Sequence, residues 1–108
     1  MTAIVIQGKL IDDARSFHSV FAEALGFPDF YGGNFDAWID CMGYLDEPEA
    51  EMTSVHVESG TQLTLHVLDS EHMKKTCPEV WLSLLECAAF VNWRRVSDGA
   101  SPLLVVAA

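Results

Sequence analysis

Phe27-Pro28-Asp29-Phe30-Tyr31-Gly32-Gly33-Asn34-Phe35-Asp36-Ala37-Trp38-Ile39-Asp40-Cys41 runs from a Pro/Gly loop into a helix, with Asn34 placed as its N-cap. A helix advances about 100° per residue. With Asp36 at zero, Asp40 lies roughly 40° away, Ile39 roughly 60° to the other side, and Gly43 within about 20°. Phe35, Trp38, Cys41 and Met42 fall between roughly 140° and 260°, on the opposite face. The helix therefore docks its apolar face on a core and turns Asp36 and Asp40 outward.

That pairing has a cost. Like charges at i, i+4 destabilise an isolated helix by roughly 0.2–0.5 kcal/mol. Asp36 recovers part of this in the first turn, where the helix dipole favours an anion. Asp40 lies beyond that turn and has no Lys or Arg close in sequence. A solvated acidic face is the ordinary explanation for such a pair. Its setting, after an aromatic and glycine-rich loop, points instead to a docking surface.

Working outward, Thr2–Ile6 is an apolar run suited to a buried strand, closed by Gly8. Asp12 and Asp13 form an N-cap region, and Ala14, Phe17, Val20, Phe21, Ala24 and Leu25 recur at helical spacing. Gly26 and Pro28 end that helix. After Asp40 comes an acidic loop, Leu45 to Glu51, and then Val55-His56-Val57, which reads as a small strand or ordered edge. Leu63–Leu68 is the clearest later strand. Ser70 is placed to cap a short helix to about Thr76, limited by Pro78. Val80, Leu84, Leu85, Ala88, Phe90 and Val91 line a long helix from about Pro78 to Val96, with Trp81, Phe90 and Trp93 as a core aromatic set, a docking role for Trp93 being the alternative. Arg94-Arg95 suits that helix's C-terminal end as a solvated basic turn. Asp98-Gly99 breaks it, and Leu103–Ala107 is a final strand. Strands separated by helices predict an α/β fold, a small parallel sheet with helices packed on it and both faces well covered. No repeat, linker or composition shift divides residues 1–108, so one domain is expected.

Charge narrows the function. Sixteen acids against six bases leave a formal charge of −10, and no Lys or Arg lies between Arg15 and Lys74. Such a chain repels nucleic acid and attracts a basic partner, although solubility alone is the bland explanation. No apolar run approaches the roughly 20 residues of a membrane span, and no basic-then-apolar leader opens the chain. Cys41, Cys77 and Cys87 are odd in number and lack C-x-x-C spacing, which fits reduced, buried thiols in a cytoplasm. His18, His56, His66 and His72 show no metal-ligand spacing, so structural hydrogen bonding is the expected role and no metal or other cofactor is implied. Gly32-Gly33 opens no phosphate loop, because no G-x-x-x-x-G-K follows.

Pro28, Asp29, Phe30-Tyr31, Gly32, Asn34, Asp36, Ala37, Asp40 and Cys41 fall in one order that resembles the barstar family, intracellular inhibitors of barnase-type ribonucleases. The strand and helix order also fits. The resemblance implies a three-stranded parallel sheet packed with about four helices. It implies too that the loop and second helix plug a nuclease active site, acids standing in for RNA phosphate. Asp40 would enter a pocket of Arg, Lys and His, with Asp36 beside it. Phe30, Gly32, Asn34, Phe35, Ile39, Gly43 and Tyr44 would supply surrounding contacts. The sequence departs from the family at Phe30 (a tyrosine in the family), at Ile39 (a tryptophan), and near Asn92, where the best-known member has a glutamate. Residues from about Asp46 to Gly60 make a longer connection than in that member.

The expectation is thus a non-enzymatic inhibitor of a basic, extracellular-type ribonuclease, a monomer when free, binding neither nucleic acid nor membrane. The departures keep a second reading open, an immunity protein neutralising a non-barnase toxin through the same surface. A third, from another class, is a small hydrolase or metal-dependent enzyme using Asp36, Asp40 and a histidine.

Overall fold

The computed structural model describes residues 2–108. Strand β1 (Thr2–Gln7) passes through a 3-10 turn at Gly8–Leu10 into helix α1 (Ala14–Leu25) and then α2 (Phe35–Met42). A second 3-10 turn at Pro48–Ala50 precedes β2 (Leu63–Leu68), followed by α3 (Ser70–Thr76), α4 (Pro78–Ser97) and β3 (Leu104–Ala107). The three strands form one parallel sheet in the order β1-β2-β3, with Thr2 opposite Leu63 and Leu63 opposite Leu104. Parallel neighbours need crossovers. The first carries α1 and α2, the second α3 and α4, which is the expected α/β architecture of three strands and four helices.

Local chemistry sets the element ends. Asp13 caps α1: its carboxylate accepts from Ser16 N at 2.8 Å, and its own N–H donates to the Ser16 hydroxyl at 3.1 Å. Donation from the Ser16 N–H, and from the Ser16 hydroxyl to Oδ1 at 2.9 Å, holds the Asp13 carboxyl below its ordinary range. At the other end Gly26 sits at φ +65°, and a β-carbon there would lie 2.2 Å from Ser54 Oγ. Only glycine meets both demands.

Two local expectations are corrected. Ser70 is not the cap of α3 but its first, buried residue; the cap position is Asp69 at φ +52°, whose side chain makes no capping bond. Val55-His56-Val57 forms no strand. Val57 N–H donates to Leu45 O at 3.0 Å, and the Thr53 hydroxyl donates to Val55 O at 2.7 Å. With the Val57 N–H and the Val55 carbonyl taken by neighbouring loop groups, the segment joins no ladder. Further bonds order the long connection, including Ser54 N–H to Leu25 O at 2.8 Å and Thr61 N–H to Glu58 O at 3.0 Å.

The core lies between the sheet and the helices. Ile6, Leu63, Leu65, Val67 and Leu104 from the sheet meet Phe17, Phe21 and Leu25 of α1, Trp38 and Met42 of α2, and Leu84 and Val91 of α4. Cover on both sheet faces was expected, and the structure corrects it. Val5, His66 and Val105 point away from the helices and are exposed. The strands read as apolar runs although, apart from the buried Thr64, mainly alternate residues are covered. In α4, Leu85, Phe90 and Trp93 are also exposed rather than core, since the helix buries only its 80/84/88/91 side. Trp81 alone of the aromatic set packs partly against the core.

Candidate functional site

The 27–34 loop is fastened before it reaches α2. Phe27 is buried, its ring centroid 4.6 Å from that of Tyr31. Tyr31 N–H donates to Pro28 O at 2.9 Å, and its hydroxyl meets His18 Nδ1 at 2.5 Å. Burial lowers the His18 pKa and pushes the Tyr31 phenol above its usual range, so the bond joins a neutral ring and a neutral phenol. Asn34 Oδ1 accepts from Ala37 N at 2.8 Å and so starts α2 as its N-cap. Phe35 packs inward, its centroid 5.1 Å from Phe17 and 4.9 Å from His18.

α2 then presents two faces. Trp38, Cys41 and Met42 are buried. Burial, with Asp40 adding to it, raises the Cys41 thiol to about 11, leaving it an inert hydrophobe. Asp36 and Asp40 are exposed, and neither forms an ion pair within 4.0 Å among the described residues. Gly43 closes the helix, donating to Ile39 O at 3.0 Å.

Four of the nine residues singled out in the sequence converge. Ile39, Asp40, Gly43 and Tyr44 line a groove of about 410 Å³ with Glu47, Met52, Val91, Arg94, Arg95 and Asp98. Phe30, Gly32, Asn34, Phe35 and Asp36 lie outside it. Phe30 projects from the loop, 75% exposed, and Asp36 is exposed on the first turn of α2.

Sequence reasoning missed the α4 wall. Val91, Arg94, Arg95 and Asp98 follow an i, i+3, i+4, i+7 spacing, the signal of one shared helix face. Arg95 is not a solvated base. It grips Asp46 through both guanidinium nitrogens, Nη1 to Oδ1 at 3.1 Å and Nη2 to Oδ2 at 2.5 Å, in a largely buried fork. Arg94 forms no ion pair among the described residues; its guanidinium lies 5.7 Å over the Phe90 ring. The groove thus joins three acids, Asp40, Glu47 and Asp98, to one neutralised and one available cation.

Asn92 has a different task. Its Oδ1 accepts from Leu103 N and Leu104 N, each at 2.9 Å, and its Nδ2 donates to Leu104 O at 3.0 Å. The side chain is spent on holding β3 and faces no groove. Glu86 is exposed on α4 and is also no part of the groove lining.

The histidines and cysteines do not gather. Among the described residues, no three His, Cys, Asp or Glu side chains are placed to hold a metal ion. Cys41, Cys77 and Cys87 are free thiols. No helix among the described residues is long and apolar enough to cross a membrane.

The family model described as Barstar (barnase inhibitor) matches residues 1–106. A protein of Bacillus subtilis (strain 168), named "Putative ribonuclease inhibitor YrdF", is 39% identical over 49 residues, 44% of this chain and 54% of that protein. The chain therefore matches about half the length of that relative.

Proposed function

The chain belongs to the barstar (barnase inhibitor) family, and on that premise we propose that residues 1–108 act as one domain that binds and blocks the active site of a basic ribonuclease. The observation that carries this reading is Asp40: exposed, unpaired, and held on a helix whose other face is locked in the core. A site built to grip a polyanion presents desolvated cations. Carboxylates at fixed spacing satisfy those cations without offering a bond to cleave. Asp40 enters the cationic pocket, Asp36 supports it one turn earlier, and Ile39, Gly43 and Tyr44 fill the groove wall. Phe30, Gly32, Asn34 and Phe35 form or shape the loop beside them. The capped helix and the His18–Tyr31 bond leave little freedom to lose on docking.

Co-purification from the source cells, followed by an RNA-cleavage assay of the captured protein, tests the reading. The captured protein is expected to cleave RNA and to lose that activity when this chain is added back. For Asp40→Ala, affinity for that nuclease is expected to fall by at least about 2 kcal/mol, roughly thirtyfold. That figure is the general one for interface hot spots, for which the barnase–barstar pair is itself a reference case. Folding stability is expected to change by no more than about 0.5 kcal/mol, because the residue is exposed. Unchanged affinity, or a captured protein without nuclease activity, contradicts the reading.

One observation favours a second reading, an immunity protein for a toxin other than a barnase-type enzyme. Arg94 places a cation in the groove. A purely cationic active site meets it with repulsion, whereas a target that also offers a carboxylate meets it with attraction.

A further inference from the structure

The α4 wall of the groove holds one side chain that the fold does not use. Val91 is buried in the core, Arg95 is forked onto Asp46, and Asp98 closes the helix through its backbone N–H. Arg94 has no such task. It is exposed, and among the described residues it forms no ion pair within 4.0 Å, although Asp40, Glu47 and Asp98 line the same groove. Its guanidinium lies instead over the Phe90 ring, which is stacked on Trp93 at 5.8 Å. A helix dipole favours a cation at this end. Arg95, one residue on, already supplies one. The dipole therefore gives no reason for a second base in the groove of Asp40.

We propose that Arg94 is a specificity-determining residue, pairing with a carboxylate that the target nuclease carries beside the cationic pocket entered by Asp40. The inference rests on the docking reading above and adds to it the charge layout of the target. Contact across the groove follows from size. Helix α2 has 8 residues, so it is about 12 Å long and about 10 Å across, far short of the about 800 Å² that a standard interface covers on each partner. A nuclease seated on Asp40 takes in neighbouring ground, and the groove that Asp40 lines is the adjoining surface. The fold fixes the spacing of the two charges. The Arg95–Asp46 fork ties α4 to the chain just beyond α2, so Asp40 and Arg94 are held as one acid–base pattern. The Phe90 ring restrains the guanidinium, which lowers the side-chain entropy left to lose on docking.

Such a pattern selects among nucleases. Any cleft that grips RNA phosphate accepts Asp40. A cleft that is cationic throughout also meets Arg94, and burying a base against bases costs binding energy that no contact returns. A cleft with an acid at that point gains a charge-assisted, two-pronged contact. The field of the whole chain works the other way. At −10 it draws the most basic target fastest and makes no distinction of this kind. Local contact and long-range steering thus give opposite signs for one substitution.

The affinity of the full chain for the captured nuclease, measured by calorimetric titration, tests the pairing. Arg94→Glu makes an already negative chain more negative, so steering alone strengthens binding to a basic protein. The expected result is the reverse. Arg94→Glu is expected to bind about a hundredfold more weakly, Arg94→Ala about tenfold, and Arg94→Lys within about fivefold of the native chain. Lys75→Glu makes the same charge change on α3, outside the groove lining, and is expected to leave affinity within about threefold. Arg94 is exposed, so the melting midpoints of its variants are expected to stay within about 3 °C of the native one. Arg94→Glu or Arg94→Ala binding as tightly as the native chain, or tighter, while Asp40→Ala binds weakly, overturns the pairing and leaves the docking reading standing. An unchanged affinity for Asp40→Ala overturns both. A loss for Lys75→Glu equal to that for Arg94→Glu also overturns the pairing, because the effect then belongs to net charge.

Discussion

His18 and Tyr31 tie α1 to the loop through one hydrogen bond, and the burial of the imidazole there makes the fold sensitive to acid. In the unfolded chain the imidazole titrates near 6.5, while burial lowers it in the folded state. Between the folded value and 6.5 the unfolded chain binds more protons, so stability rises with pH there. The contribution is complete above about pH 6.5 and is lost as pH falls through the folded value. Thermal melts from about pH 7.5 to about pH 5 are expected to show a falling midpoint, and His18→Gln a shallower fall over that window. Equal slopes for the two proteins would remove the histidine from the account. His18 was legible as a structural, hydrogen-bonding residue from its place on a helix. Its partner was not, because Tyr31 lies 13 residues away and reaches it only after the loop folds back.

At the scale of elements, β3 depends on a side chain from α4. Three backbone groups of Leu103 and Leu104 are satisfied by the single amide of Asn92. Asn92→Ala leaves them without that partner, and a loss of about 2–4 kcal/mol is expected in denaturant unfolding. A loss under about 0.5 kcal/mol would mean that the strand holds without the amide. Sequence pattern located β2 and the bounds of α1, α3 and α4 to within about a residue, because caps, glycines and prolines act locally. It left Val55–Val57 open between a small strand and an ordered edge; no strand forms, because strand propensity yields to hydrogen bonds with Leu45 and Thr53 that are set by tertiary placement. It also assigned Phe90 and Trp93 to the core. Periodicity shows that a helix has apolar faces, but it does not show which of two such faces meets the sheet.

Over the whole molecule, the acids form a field that a basic partner meets before contact. The chain carries −10, and the stretch from Arg15 to Lys74 adds no base between its ends. With a Debye length of about 10 Å at 0.1 M salt, that field is largely screened at higher salt. The association rate with the captured nuclease is expected to fall at least about tenfold between low and high salt, as stopped-flow mixing would measure, while dissociation changes less. A rate independent of salt would detach the acidic surface from recognition. Folding moderates the field at one place. Arg94 and Arg95, more than fifty residues along the chain from Asp40, come to line its groove.

What the residues determined unaided was local and periodic. They set the outward pair Asp36 and Asp40, the Asn34 cap and the alternation of strands and helices, because each follows from backbone geometry within a few residues. Tertiary structure alone decided that Asn92 serves β3, that Arg95 is bound to Asp46, and that one sheet face and one α4 face stay open. Those outcomes depend on which surfaces meet across long separations, and contacts between distant residues leave no periodic mark in the chain.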